Sequence, residues 1–147
     1  MIDPSQYETV HDMDQELAIA KRIEIAFKCK AEKNPKSYYI DFCCFRNKSL
    51  VGWLECRARN NSSTQYPDYL FSARKTIHGL QFAQWSKMPY VLAIQFTDGI
   101  FWHEFKPTIK YKIRYMQRSQ TGQKYRNDPH DNEPCTVITR KMLTRIK

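Results

Sequence analysis

Residues 38–59 read YYIDFCCFRNKSLVGWLECRAR. Two apolar runs rich in aromatic and β-forming side chains, 38–45 and 50–57, flank a polar segment at 46–49, and that pattern predicts a β-hairpin. Each run carries an acid, Asp41 in the first and Glu55 in the second. Strand alternation sends Val51, Trp53, Glu55 and Arg57 to one face and Leu50, Leu54 and Cys56 to the other. Glu55 and Arg57 therefore share a side, and pairing of the two runs brings Asp41 to them. Two carboxylates on neighbouring strands, with a cation two residues beyond the second, offer hard oxygen donors to a divalent ion and a positive group to a phosphate. Each residue taken singly has a plainer reading: Asp41 paired with Arg46, Glu55 in a cross-strand ion pair, Arg57 solvated.

Outward from the hairpin, Asp12 caps a helix expected to run to about residue 32, with Gln15 completing a capping box. At 100° per residue Leu17, Ile19, Ala20, Ile23, Ala26 and Phe27 span one broad face, and Glu16 and Glu24 fall inside that arc. An acid there needs a partner or a task. Asn34-Pro35 stops the helix. After a polar loop at 60–65, Pro67-Asp68 opens a second helix, expected over about 69–86, with Leu70, Ala73, Ile77 and Leu80 as its core stripe. Ser72, Lys75 and Gly79 line a separate strip from which Lys75 can approach a phosphate. The run 90–96 is almost continuously apolar, as in a strand covered on both faces, and Thr97-Asp98-Gly99 turns it into 100–105. Residues 119–134 are turn-rich, 135–138 read as a short strand and 140–146 as a brief helix or extension. This order implies an α/β sandwich with a mixed sheet, because the second helix crosses back to lay 90–96 beside a strand.

A chain of 147 residues with 41% hydrophobic content suffices for one core, so one domain, 1–147, is expected. No apolar run is long enough for a bilayer span, and the acidic start MIDPSQYETVHD lacks a secretion signal, which predicts a soluble intracellular protein. Five cysteines form no CxxC pair, favouring reduced thiols over zinc or disulfides. His11, His78, His103 and His130 are scattered without ligand spacing. The net charge is +9. It is unevenly placed: residues 1–20 hold no Lys or Arg, and 105–127 no Asp or Glu. The latter segment interleaves Lys106, Lys110, Lys112, Arg114, Arg118, Lys124 and Arg126 with tyrosines, which suits a nucleic-acid surface or a solvated basic strand and loop.

Asp41, then Glu55-Cys56-Arg57 fourteen residues later, between a helix bearing Glu16 and one bearing Lys75, resembles the PD-(D/E)xK nuclease superfamily. The nearest look-alikes are small phage-encoded members and archaeal Holliday-junction resolvases, with the order helix Glu, strand Asp, Glu-x-Lys. Glu16, twenty-five residues before Asp41, matches their helix acid better than Glu24. The YPDYLFSARKTIHG and DPHDNEP stretches are similar to the phage proteins. The resemblance covers about residues 12–105. It implies a restriction-endonuclease-like core, a mixed central β-sheet flanked by helices, followed by a basic C-terminal extension at 106–147. It further implies Mg²⁺- or Mn²⁺-dependent phosphodiester hydrolysis on DNA by a phage protein in the host cytoplasm, and leaves homodimer formation open. In the implied roles Asp41, Glu55 and the Cys56 carbonyl ligate the ion and Glu16 joins them directly or through water. Arg57 and Lys75 clamp the scissile phosphate, and Arg59, Lys75, Lys110, Lys112, Arg114, Arg118, Lys124 and Arg126 track the strand. One position departs: Arg57 stands where the family has lysine. Guanidinium stays protonated in any protein, so it donates hydrogen bonds but cannot take a proton. Two alternatives follow, a catalytically inactive relative that binds nucleic acid, and a phage accessory factor that binds protein.

Overall fold

The computed structural model describes residues 10–116 and 132–147. Helix α1 (Val10–Phe27) leads into β1 (Lys30–Lys33), β2 (Phe42–Arg46), β3 (Ser49–Ala58) and β4 (Asp68–Ser72). Helix α2 (Ala73–Ser86), β5 (Tyr90–Phe96), β6 (Gly99–Phe105), β7 (Ile113–Met116) and β8 (Glu133–Thr139) follow, and a 3-10 turn (Arg140–Met142) and β9 (Thr144–Arg145) close the chain. Six strands form one sheet in the order β1-β2-β3-β5-β6-β9, and β4-β8-β7 form a second. In the large sheet only β3 and β5 run parallel, joined by the crossover through β4 and α2, so the sheet is mixed, as the sequence predicts.

The large sheet is covered on both faces. Ile19, Ala20 and Ile23 of α1 pack with Phe42, Cys44, Leu54, Cys56 and Ala93 on one side. On the other, Trp53, Tyr90, Leu92, Ile94 and Phe105 meet Tyr69 and Phe71 of β4 and Ile138 of β8. The expected 2-3 hairpin forms, its turn carried by Asn47 and Lys48 at φ of 50° and 68°, the left-handed pair that matches strand twist.

Four local expectations are corrected. Helix α1 starts at Val10, which puts Asp12 inside it rather than at its cap, and ends at Phe27 rather than near residue 32; Lys28 turns left-handed at φ 53°, and the next residues are drawn into antiparallel pairing along β2. The first hairpin strand begins at Phe42, not 38, because residues 34–41 close a loop in which Asn34 N donates to Asp41 O at 2.8 Å. Helix α2 begins at Ala73: residues 68–72 are the strand β4, with Tyr69 and Phe71 buried at period two, and Ser72 caps the helix by accepting from Lys75 N. Its buried face is accordingly Thr76 and Gly79, with Leu80, Phe82 and Ala83 packed alongside, while Ile77 is 56% exposed. Finally, Cys44 pairs with Gly52 and Phe45 with Leu50. The intervening Val51 is a bulge residue, so Leu50 packs with the Trp53 side and Val51 with the Leu54 side, the reverse of simple alternation.

The basic segment contributes β7, and the predicted short strand at 135–138 is the centre of β8, paired to β4. Arg118, Lys124, Arg126 and His130 lie outside the described residues. Among those described, no helix is long and apolar enough to cross a membrane.

Candidate active site

Strand β2 stops at Phe42 while β3 continues to Ala58, which leaves one edge of β3 open beside residues 55–58. Into that opening the chain places side chains from four elements. Asp41 sits at the mouth of β2, where its Oδ2 accepts from Cys56 N at 3.1 Å and from Arg57 Nη1 at 2.9 Å. Arg57 Nη1 also donates to Cys56 O at 2.7 Å and lies 3.9 Å from Glu16 Oε1 of α1. Arg57 Nη2 is 3.2 Å from Glu55 Oε2, and Lys75 Nζ of α2 approaches the same oxygen at 3.6 Å. The geometry thus brings together Glu16, Asp41, Glu55, Cys56 O, Arg57 and Lys75. Glu24 goes elsewhere: its carboxylate accepts from Ala31 N at 2.8 Å.

Electrostatics divide the three acids. Glu55 is fully buried, and desolvation, against the pull of Arg57 and reinforced by the charge of Asp41, raises its pKa to about 8. Burial also pushes Glu16 up to about 7, with Asp41 adding to the rise and Lys33 opposing it. For Asp41 burial acts upward too, yet Arg57 and Lys75 outweigh it and hold the group at about 2. The guanidinium of Arg57 is held well above its ordinary range: burial alone would lower it, but Asp41 and Glu55 dominate.

The donors are those a hard divalent cation takes: three carboxylates and a backbone carbonyl. Neither buried oxygen of Glu55 has a hydrogen bond that meets strict geometry; Oε2 has the charges of Arg57 and Lys75 nearby, and Oε1 is left over for a ligand. Among the described residues, however, no three acid, histidine or cysteine side chains are grouped so as to hold an ion where they stand, and the guanidinium of Arg57 lies between Asp41 and Glu55. The residue types fit a cation; one entering between the two acids would have to displace the guanidinium.

Lys33, whose Nζ contacts Glu16 Oε2 at 2.9 Å, and Tyr90, whose buried hydroxyl lies within the field of Glu55, belong to the surroundings and were not singled out from sequence. Lys33 lies just before Asn34-Pro35 and carries no motif of its own; Tyr90 reads as an ordinary apolar strand residue. Arg59 Nη2 donates to Tyr69 Oη at 2.8 Å, and its guanidinium lies 4.9 Å from that ring. Beyond it a cleft of about 790 Å³ is lined by Arg59, Tyr66, Arg114 and Arg140 among others. Arg114 pairs with Asp68 at 3.1 Å, while Lys110 and Lys112 are exposed and are not part of the carboxylate cluster. His103 is accounted for structurally, with Tyr111 Oη at 2.7 Å and Met142 O at 3.2 Å on its two ring nitrogens. None of the five cysteines is in a disulfide.

A family model described as a phage putative PDDEXK endonuclease matches residues 3–146. No curated protein matches the chain. Among solved structures, that of Archaeoglobus fulgidus Hjc, a Holliday junction resolvase from an archaeal hyperthermophile, superposes with a TM-score of 0.53 over 88% of this chain and 89% of that one at 10% identity. At that identity the likeness is one of fold: a restriction-endonuclease-like mixed sheet flanked by helices.

Proposed function

The chain belongs to the phage putative PDDEXK endonuclease family, and from that membership we propose that it is a Mg²⁺- or Mn²⁺-dependent endonuclease hydrolysing phosphodiester bonds in DNA within the host cytoplasm, as a single domain spanning 1–147. The observation that carries the reading is the convergence of Asp41 and Glu55 on one guanidinium, at 2.9 and 3.2 Å. Both carboxylates face the open edge of β3 and meet there at one positive charge, the position a divalent cation would take.

Asp41, Glu55 and the Cys56 carbonyl would hold the ion, with Glu16 beside them. Bound there, a divalent cation lowers the pKa of a water and stabilises charge developing on the phosphoryl oxygens. The remaining work falls to side chains. Arg57, displaced from between the acids, remains attached to the open edge of β3 and donates a planar pair of N–H groups to phosphate oxygens. Lys75 approaches from α2 and adds a second positive contact. Glu16, 3.9 Å from Arg57 on the α1 side, would meet the ion directly or through a water. Arg59, Lys110, Lys112 and Arg114 would extend the cationic contacts to the DNA backbone, and the sequence assigns the same role to Arg118, Lys124 and Arg126.

Arg57 also favours a second reading, a nucleic-acid-binding protein without catalysis, in which the guanidinium is a permanent resident cation. Incubation with single-stranded, duplex and branched DNA plus Mg²⁺ or Mn²⁺ separates the two. The enzyme reading expects cutting that Asp41→Ala and Glu55→Ala abolish while binding persists. Binding without metal-dependent cutting in the wild type, with cutting restored by Arg57→Lys, supports the second.

A further inference from the structure

Helix α2 and the loop before Asp41 present an aromatic surface that the site chemistry does not use. Tyr39 stacks on His78 with ring centroids 4.0 Å apart and planes within 10°. Tyr38 stacks on Phe82 at 5.6 Å. Between these pairs and Trp85 lies a cleft of about 360 Å³. The rings are open to solvent: Trp85 is 79% exposed, Tyr39 46% and Tyr38 43%. Large exposed aromatics concentrated on one surface mark an interaction site.

Charge identifies the occupant. Residues 69–97, which include all of α2, contain no Asp or Glu, and neither do residues 34–40. The guanidinium of Arg74 lies 5.6 Å from the Tyr39 ring, and Lys75 reaches into the carboxylate cluster. By contrast α1, on the opposite face of the sheet, carries Asp12, Asp14, Glu16 and Glu24 against Lys21 and Arg22. An aromatic patch on a helix and loop whose own charged side chains are all basic, in a chain of net charge +9, disfavours a second copy of itself and suits a polyanion that has flat faces to stack. Position agrees with this. Tyr39 precedes Asp41 by two residues, so the two Cα atoms are at most about 7 Å apart, and a base held on the patch leaves its backbone beside the acids.

We propose that the Tyr38, Tyr39, His78 and Trp85 surface binds unpaired nucleobases next to the scissile phosphate, and that the preferred substrate has a single-stranded or splayed segment there, as at a flap or branch. The proposal rests on the nuclease reading and names its substrate class.

The test measures binding in chelator, where nothing is cut, by fluorescence anisotropy. The probes are a labelled oligothymidylate, an abasic strand of the same length, and a blunt duplex. Wild type is expected to bind oligothymidylate more tightly than the abasic strand. The double variant Tyr39→Ala/Trp85→Ala is expected to lose about tenfold or more on oligothymidylate, while its affinities for the abasic strand and the duplex stay within about twofold. Both replaced rings are exposed, and an unchanged melting temperature verifies folding; His78→Ala supplies an independent variant should the pair unfold. Equal losses on all three probes, no loss on any, or a wild-type dimer that the variant dissolves would overturn the proposal, the last by assigning the patch to self-association. Failure of the nuclease reading shows separately, as DNA cutting indifferent to Asp41 and Glu55.

Discussion

At the scale of the residue, Arg57 decides how the site behaves. Its guanidinium offsets the charge of Asp41 and contacts Glu55 and Glu16, so removing it leaves Asp41 in a desolvated space without its nearest counter-charge. Arg57→Ala is expected to destabilise the ion-free protein by about 2–3 kcal/mol, less than for a fully buried pair because Arg57 keeps some solvent contact. The same change vacates the space a cation needs, so saturating Mn²⁺ should raise the melting temperature of Arg57→Ala more than that of wild type. Thermal melts with Mn²⁺ and with chelator check both. The raised pKa values of Glu16 and Glu55 carry a signed prediction. Between the ordinary carboxylate value of 4.5 and their folded values of about 7 and about 8, the native state holds protons that the unfolded chain has released. Stability in chelator therefore falls as pH rises through that window, and Glu55→Gln should flatten the fall. The pairing of residues 41 and 55 was readable from two acids in neighbouring β runs; burial of Glu55 was not, since nothing local shows that β4 and α2 will cover that face.

At the scale of the element, period and punctuation told most where one force dominated. The apolar run of β5 and the Asp98-Gly99 turn into β6 stand as read, because burial on both faces and a turn glycine leave few alternatives. Both helices shifted where a competing partner intervened. Residues 30–33 have fair helical propensity but pair with β2, and residues 68–72 pair with β8, which arrives over sixty residues later; such distant partners leave no local mark. The packing of α2 also hinges on a residue assigned to a polar strip. A Cβ on Gly79 would lie 2.0 Å from the ring of Tyr90, and Tyr90 is fully buried and has nowhere to go. Gly79→Ala is therefore expected to destabilise the protein by about 1–3 kcal/mol despite alanine's better helix propensity, and chemical denaturation measures it. A stabilised variant would mean that helix and sheet are not in direct contact there.

At the scale of the whole molecule, the large sheet separates an acid-bearing helix from a cationic layer, with the carboxylate cluster at the open edge between them. The charge imbalance was legible in composition; its division between two faces required the topology. DNA bound through the cationic layer, as proposed, would release counterions, so affinity in chelator should fall steeply and log-linearly with salt concentration, in contrast to a protein-binding surface of apolar character. A fold does not by itself specify catalysis, and the distinction returns to the cluster. Calorimetric titration of Mn²⁺ into wild type, Asp41→Asn and Glu55→Gln at a pH above 8 is the most direct measurement of whether those two carboxylates share an ion. The account predicts saturable binding by wild type, accompanied by proton release at lower pH, and its loss in both variants; undiminished binding in either variant would contradict it.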